Sequence, residues 1–469
     1  MIKYAADTSE SWERELERIT VEGTQEQKQI FYTGLYHAFI QPNNIADVNG
    51  DYPAPDMTVR HAIDKKQYST LSLWDTYRTA NPLYTLVQTK RAAGMVNSML
   101  LQNDVYGYLP IWQLWGLENY CMIGNHAIPV VVDAALKGIK GFDVEKAYAA
   151  VKNSSLTDHL NSPFAVWEKY GYIPEDILSQ SVSITLEMAY DDWCVAQLAK
   201  KLHKQSDYEH FLRRSAFYKN LYDAKTGFFR GKNKDGKWLE PFDPLKYSGN
   251  GNGPFTEGNA WQYLFYVPQD MSGLIDLMGG KDAFNAKLDT FFTLDNHPSD
   301  KNQNASGFIG QYAHGNEPSH HAAYLYNFSG QPWKTQKYVS QILNELYNNS
   351  SSGYAGNEDC GQMAAWYIFS SMGFYPFNPA NGVYSIGSPV LKSAKMHLEN
   401  GKVFTVLVEN AGKDNCYIQS LKLNGKPYTR TYITQKDIVD GGTLEFVMGN
   451  QPNEKWGTGD GDATISWGY

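Results

Sequence analysis

Apolar residues recur at three- and four-residue spacing along most of the chain, and strand-like alternation is confined to its C-terminal end. Thr24-Gln-Glu-Gln forms a capping box ahead of Ile30, Phe31, Leu35 and Phe39, which predicts a helix there. The same reading predicts helices over 73–87, 88–103, 126–138, 142–152, 182–203 and 208–221. Further ones are expected over 256–266, 281–292, 320–328, 332–346 and 359–372. The stretches starting at His126 and Gln362 are apolar nearly all round, as in helices enclosed by others. By contrast, 208–221 carries Glu209, His210, Arg213 and Arg214 and reads as an outer helix. Helices of these two kinds, joined by long loops rich in Gly, Asn and Pro, predict a mainly α fold: an (α/α)6 barrel, or toroid of helical hairpins.

Beyond Pro376 the period changes. Val383-Tyr-Ser-Ile, 393–398, 403–408, 415–423 and 443–448 are strand-like, with turn signals at Asn400-Gly401, Asn424-Gly425 and Gly441-Gly442. A small C-terminal antiparallel β-module is therefore expected at 381–469. It would follow a barrel domain at 24–380 and a lead-in helix and linker at 1–23.

Composition narrows the chemistry. A chain of 469 residues needs neither disulfides nor a metal to fold. Its 41 basic and 50 acidic residues form no basic block, so no sustained binding to nucleic acid is expected. No apolar run reaches the ~20 residues of a membrane span, and the opening Met1-Ile-Lys-Tyr lacks a signal-peptide core. Cys121, Cys194, Cys360 and Cys416 form no metal-like pattern and fit free buried thiols. Aromatic residues reach 14%, including 33 Tyr and 12 Trp. Such rings suit the C–H faces and hydroxyl rims of sugars, and they equally fill the core of a large helical fold.

Polar–aromatic stretches interrupt the helical pattern. In Ser72-Leu-Trp-Asp-Thr-Tyr-Arg, Trp74, Asp75 and Arg78 read either as ligands for hydroxyls or as a helix cap and an i,i+3 ion pair. In the Gly-rich loop 247–263, Glu257 lies where a helix begins. It is either a complement to the helix dipole or a general acid, its pKa raised by the adjoining Trp261 indole. His314-Gly-Asn-Glu-Pro-Ser-His-His matches no zinc spacing, and Asn316 and Glu317 amid backbone carbonyls better suit a hard cation such as calcium. Asn357, Glu358 and Asp359 precede an apolar helix, so Asp359 is either a catalytic carboxylate or an N-cap. Two carboxylates on separate loops at one mouth are what a glycosidase needs.

At these residues the chain resembles family 92 of the glycoside hydrolases. Ser72-Leu-Trp-Asp-Thr-Tyr-Arg-Thr, Gly124-Asn-His-Ala, Phe255-Thr-Glu-Gly-Asn-Ala-Trp, His314-Gly-Asn-Glu-Pro-Ser-His-His and Gly356-Asn-Glu-Asp-Cys-Gly-Gln-Met occur in that family's order. The resemblance implies a calcium-dependent, exo-acting α-mannosidase that inverts anomeric configuration and acts on mannose-containing glycans. It implies Glu257 as general acid, Asp359 as general base with Asn357 near it, and Asn316 and Glu317 as the pair holding calcium. Trp74, Asp75, Arg78, Trp261, His314 and Gly315 would contact the sugar. Some members carry a second acid where this chain has Asn357, which weakens any shared-base scheme here. Members resembling α-1,2-mannosidases tend to carry His-Glu where this chain has His314-Gly315, which leaves α-1,2, α-1,3, α-1,4 and α-1,6 linkages open.

The resemblance further implies a periplasmic or extracellular location and a partner β-sandwich domain ahead of the barrel. Two rival classes remain at this point: a different (α/α)6 glycosidase or lyase, and an incomplete, non-catalytic glycan-binding fragment. A lyase would want a Tyr, His or Arg base in place of paired carboxylates.

Overall fold

The computed structural model of the chain describes residues 2–249, 251–295 and 305–465; Asn250 of the predicted loop and the end of the predicted β-module lie outside them. The fold is mainly helical with small sheets. Helices α1 (Ile2–Leu16), α2 (Gln25–Ile40), α3 (Leu73–Thr76), α4 (Ala80–Val87) and α5 (Thr89–Tyr106) open the chain. They are followed by α6 (Ala127–Leu136), α7 (Val144–Ser154), α8 (Phe164–Tyr170), α9 (Ser181–Lys201), α10 (Gln205–Ser215) and α11 (Ala260–Tyr263). Then come α12 (Met271–Leu277), α13 (Lys281–Thr293), α14 (Tyr326–Ser329), α15 (Pro332–Glu345), α16 (Gln362–Met372) and α17 (Gln435–Val439). At the start of α2, Gln27 N–H donates to Thr24 Oγ1 at 3.2 Å and Thr24 N–H to Gln27 Oε1 at 2.8 Å, which completes the capping box.

Helices α4, α6 and α16 are buried along their whole length, and α9 is buried from Ser181 to Ala199. Packed on α9, α10 buries only Phe211, Arg214 and Ser215. A helix enclosed on all sides tolerates acids only where partners meet them. In α9, Asp192 receives Arg214 through Nε at 2.8 Å and Nη2 at 2.9 Å, and the Trp167 indole at 2.8 Å. This bidentate pairing fastens α10 and α8 to α9.

Five predicted helices are broken or shortened by several residues: the one expected over 208–221 is α-helical only to Ser215 and runs on as a 3-10 turn over Phe217–Leu221, and the other four change for reasons that side chains and backbone make plain. The helix expected over 73–87 is interrupted at 77–79, because Pro82 has no N–H and its ring would clash with the Arg78 carbonyl. The gap is bridged by Gln362 Oε1, which accepts the N–H groups of Thr79 at 3.1 Å and Ala80 at 3.3 Å. The helix expected over 256–266 shrinks to the single turn of α11, since Asn259 is the residue whose side chain caps it. Over 320–328, His320 and His321 spend their imidazoles on the carbonyls of His314 and Phe265, and the segment runs as short 3-10 turns into α14. The helix expected from Asp359 begins at Gln362, because Asp359, Cys360 and Gly361 have φ of 51°, 55° and 101°. Asp359 is thus not an N-cap.

The C-terminal strands build a six-stranded sheet in the order 19–22, 393–397, 403–409, 442–449, 417–423, 426–427. Two features depart from an antiparallel C-terminal module. Ile19–Glu22, from the start of the chain, is its edge strand, and Val403–Glu409 pairs in parallel with Gly442–Gly449. A separate three-stranded sheet joins Phe374–Asn378, Val383–Ile386 and Tyr432–Thr434. Its first strand is buried at every position and so shows no alternation to read. Met396, Phe404, Val406 and Phe446 share one hydrophobic core with the helices. All four cysteines are free, but only Cys194 is buried and Cys121 is exposed.

Candidate active site

A pocket of about 200 Å³ gathers the polar–aromatic stretches. Trp74 and Asp75 enter it from α3, and Glu257, Gly315, Asn316, Glu317, Asn357 and Asp359 from three separate loops. Ser72, Trp112, Cys121 and Met122 complete the lining. Arg78, His314 and Trp261 do not line it.

Asp75, Glu317 and Asp359 bring carboxylate oxygens within 4.8 Å of one another. Burial, then the neighbouring Asp359, pushes Asp75 well above the usual carboxylate range. Burial, then Asp75 and Asp359, does the same to Glu317, and burial also raises Asp359. The Ser72 hydroxyl donates to Asp75, whereas Glu317 Oε1 is buried with no hydrogen-bond partner among the described residues. An orphaned buried acceptor of this kind costs about 1–3 kcal/mol. Three acids so close cannot all ionise without shared protons or a cation, and an all-oxygen donor set suits a hard cation such as calcium. Asn316 uses its amide differently: Nδ2 donates to the Glu257 carbonyl at 2.7 Å and so ties two of the loops together.

Glu257 and Asp359 both have left-handed backbone, with φ of 48° and 51°. For residues with a Cβ this costs roughly 1–2 kcal/mol each and persists only where the surroundings impose it. Around Glu257 the constraint is the pairing of Ser248 with Gly258, at 2.7 and 3.1 Å, together with the Asn316 amide. Around Asp359 it is Glu358, whose Oε2 accepts the Gly361 N–H at 2.6 Å and whose carbonyl accepts the Met363 N–H at 3.2 Å. Gly315 sits where two loops cross: a Cβ there would stand 2.0 Å from the Ala355 carbonyl oxygen and 2.1 Å from Ser306 Oγ. Glycine at 315 therefore serves loop packing as well as leaving space in the pocket.

The three remaining sequence-predicted residues lie behind or beside the pocket. The Arg78 guanidinium stacks on Tyr77, Trp74 and Tyr266 at 4.8, 5.0 and 5.3 Å, and its Nε donates to the Trp74 carbonyl. His314 bridges the hydroxyls of Tyr312 and Tyr347 at 2.7 Å each, and burial pushes it down to about 3. Trp261 packs edge-on against Phe228, with Lys287 over its ring at 4.6 Å. Trp112, Cys121 and Met122 were not expected at the site: Trp112 opens a three-residue strand, Trp112–Leu114, too short to show a period, and Cys121 and Met122 follow in a loop. That segment is held by Glu118, whose carboxylate accepts the N–H groups of Ile111, Trp112, Asn119 and Tyr120.

A helical body that carries carboxylates on separate loops around one tryptophan-walled pocket has the layout of a carbohydrate-active hydrolase. The sequence profile of the glycosyl hydrolase family 92 catalytic domain matches residues 2–450, and the chain belongs to that family. It is 41% identical to a family 92 α-mannosidase of Bacteroides thetaiotaomicron solved in complex with mannoimidazole, with a TM-score of 0.95 over 98% of this chain and 61% of that one. A family 92 inverting mannosidase from the same species is 36% identical, with a TM-score of 0.90 over 98% of this chain and 64% of that one. An uncharacterised secreted glycosidase of Arthroderma benhamiae is 32% identical over 84% of this chain and 53% of its own length. The chain thus spans little more than half of that curated relative. Among the described residues, no helix is long and apolar enough to cross a membrane.

Proposed function

We propose that the chain is the catalytic part of an exo-acting α-mannosidase that removes terminal mannose from glycans with inversion at the anomeric carbon. The observation that carries this is the convergence of Glu257 and the Asp75, Glu317 and Asp359 group on one small pocket. The family 92 relatives, one solved with mannoimidazole and one an inverting mannosidase, favour mannose and inversion.

In this reading Glu257 protonates the glycosidic oxygen as its bond to the anomeric carbon breaks. Asp359 takes a proton from a water attacking the opposite face. Asn357, beside it on the rim, offers an amide and no second carboxylate, so one base acts alone. Glu317 and Asn316, with Asp75 alongside, would hold calcium. When bound, that ion supplies positive charge that grips vicinal sugar hydroxyls and offsets the crowded acids. Trp74 and Trp112 offer apolar walls for the C–H face of the ring.

The closure of the fully buried helices inside one-sided ones as an (α/α)6 barrel over 24–380, with a β-module over 381–469, belongs to the same reading. So do action outside the cytoplasm, favoured by the secreted relative, and a further β-sandwich domain in the whole protein, favoured by the greater length of the relatives. The chain's substrates are expected among α-1,2-, α-1,3-, α-1,4- and α-1,6-linked mannosides.

Release of mannose from a panel of these mannobiosides, with and without excess chelator, tests the proposal. The expected result is release that stops in chelator and returns with added calcium. Full turnover in chelator removes calcium from the scheme. No release from any substrate favours the glycan-binding fragment instead.

A further inference from the structure

Trp74, a wall of the pocket, is gripped from behind by charged groups that do not line the pocket. Its indole Nε1 donates to Glu187 Oε1 at 2.9 Å, and Glu187 Oε2 meets His126 Nε2 at 3.1 Å. The other ring nitrogen of His126 meets Asp191 Oδ1 at 3.0 Å, and Asp191 Oδ2 accepts the Asn125 N–H at 2.8 Å. Glu187 and Asp191 are one turn apart on α9, so a single face of that helix clamps one imidazole. Tyr77 stacks on that imidazole at 4.3 Å, and Arg78 covers the face of the Trp74 indole. Glu187 is 0% exposed and His126 is 1% exposed.

Such a chain is an expensive way to fill space. Buried ionic groups carry a desolvation cost of several kcal/mol each, and apolar residues of similar volume do as well or better for stability alone. The backbone also makes room for it. Gly124 has φ of 78°, and a Cβ there would stand 2.3 Å from His126 Nε2 and 2.9 Å from Glu187 Oε2. The arrangement ends on a pocket wall, which gives it a use that packing does not require.

We propose that Glu187, braced by His126 and Asp191, is a positioning residue that fixes the indole plane of Trp74 for the apolar face of the bound sugar. The inference rests on the sugar-hydrolase reading for the identity of the ligand, but the grip on the indole is independent of it. A fixed wall contributes equally to ground-state and transition-state binding, so its loss raises KM and leaves kcat nearly unchanged.

The test combines kinetics with the indole N–H resonances of the 15N-labelled chain, the Trp74 signal being the one missing from Trp74→Phe. In wild type that proton exchanges among the slowest of the indoles, and a fast exchange overturns the proposal without any variant of Glu187. In Glu187→Leu the exchange accelerates, KM rises about tenfold and kcat stays within about threefold. Glu187→Gln restores both readouts, because its Oε1 still accepts the indole proton, and His126, no longer facing the Glu187 carboxylate that helps hold its charge, gives up its Nε2 proton and accepts from the glutamine amide. In the Trp74→Phe background, Glu187→Leu adds nothing further to KM. An unchanged indole exchange in Glu187→Leu, a glutamine variant as impaired as the leucine one, or a full additional KM effect in Trp74→Phe each overturns the proposal. A wild type that turns over no α-mannoside overturns the mannosidase reading, and the indole exchange then decides this inference alone.

Discussion

Glu257 and Asp359 are held in a backbone state that residues with a Cβ rarely adopt, on loops that exist to present them. Their proposed roles separate experimentally. Glu257→Gln is expected to lower kcat by about 10²–10⁴ on a mannobioside, the range of general acid catalysis. The loss should be far smaller on an aryl mannoside whose leaving group needs no proton. Asp359→Asn should be equally damaging on both substrates, because water must be activated whatever departs. Equal losses for Glu257→Gln on the two substrates would remove it from the acid role. These acids were legible in the sequence because they interrupt an apolar pattern where packing has no use for charge. Arg78 and His314 stood out for the same reason, and Trp261 as the indole next to Glu257, yet they face other partners. Which way a side chain turns at a broken helix depends on neighbours distant in the chain, such as Tyr266 for Arg78 and Tyr347 for His314. Glu187 was hidden for the opposite reason: it lies in an ordinary helical run, and only burial marks it.

Among the elements, the long enclosed helices followed directly from apolar periodicity, while boundaries failed where side chains from elsewhere intervene. Gln362 closing the gap before α4 is one case, and the run of left-handed residues before α16 is another. The crossing of the 315 and 355 loops makes Gly315→Ala a test of loop packing. With a methyl group forced against backbone, it should cost about 1–3 kcal/mol, read as a lowered midpoint in urea unfolding. An unchanged midpoint would mean the loops separate freely. The clamp of α9 on His126 carries a pH signature. Burial opposes the imidazolium, but Asp191 and then Glu187 outweigh it and lift the group from 6.5 to about 9. A raised folded-state pKa stabilises the fold fully below about 6.5 and is lost as pH rises through about 9. The melting temperature should therefore fall across that window, and His126→Gln should flatten the slope. A wild-type melting temperature that holds steady over the same range would contradict a charged His126.

At the scale of the whole molecule, helices and sheet share one core, and the start of the chain is sewn into its end. Ile19–Glu22 was invisible as a strand because it is four residues long and abuts a helix, and its partner lies some 370 positions away, at Ser393–Met396. Ile19 and Val21 are buried, each worth about 1.5–3 kcal/mol of transfer from water. Removing residues 1–23 should lower the melting temperature by several degrees and expose a strand edge that promotes aggregation, seen by light scattering. A shortened chain that is as stable and as soluble would show the edge strand to be dispensable.

In the proposed mechanism a single acid and a single base act across this pocket on an α-mannoside with no covalent intermediate. Proton NMR of the anomeric signals during the first minutes of hydrolysis tests it most directly. Inversion requires β-mannose to appear first, with α-mannose following only by mutarotation. Initial release of α-mannose would contradict it, because retention needs a carboxylate nucleophile in place of the water that Asp359 is proposed to activate.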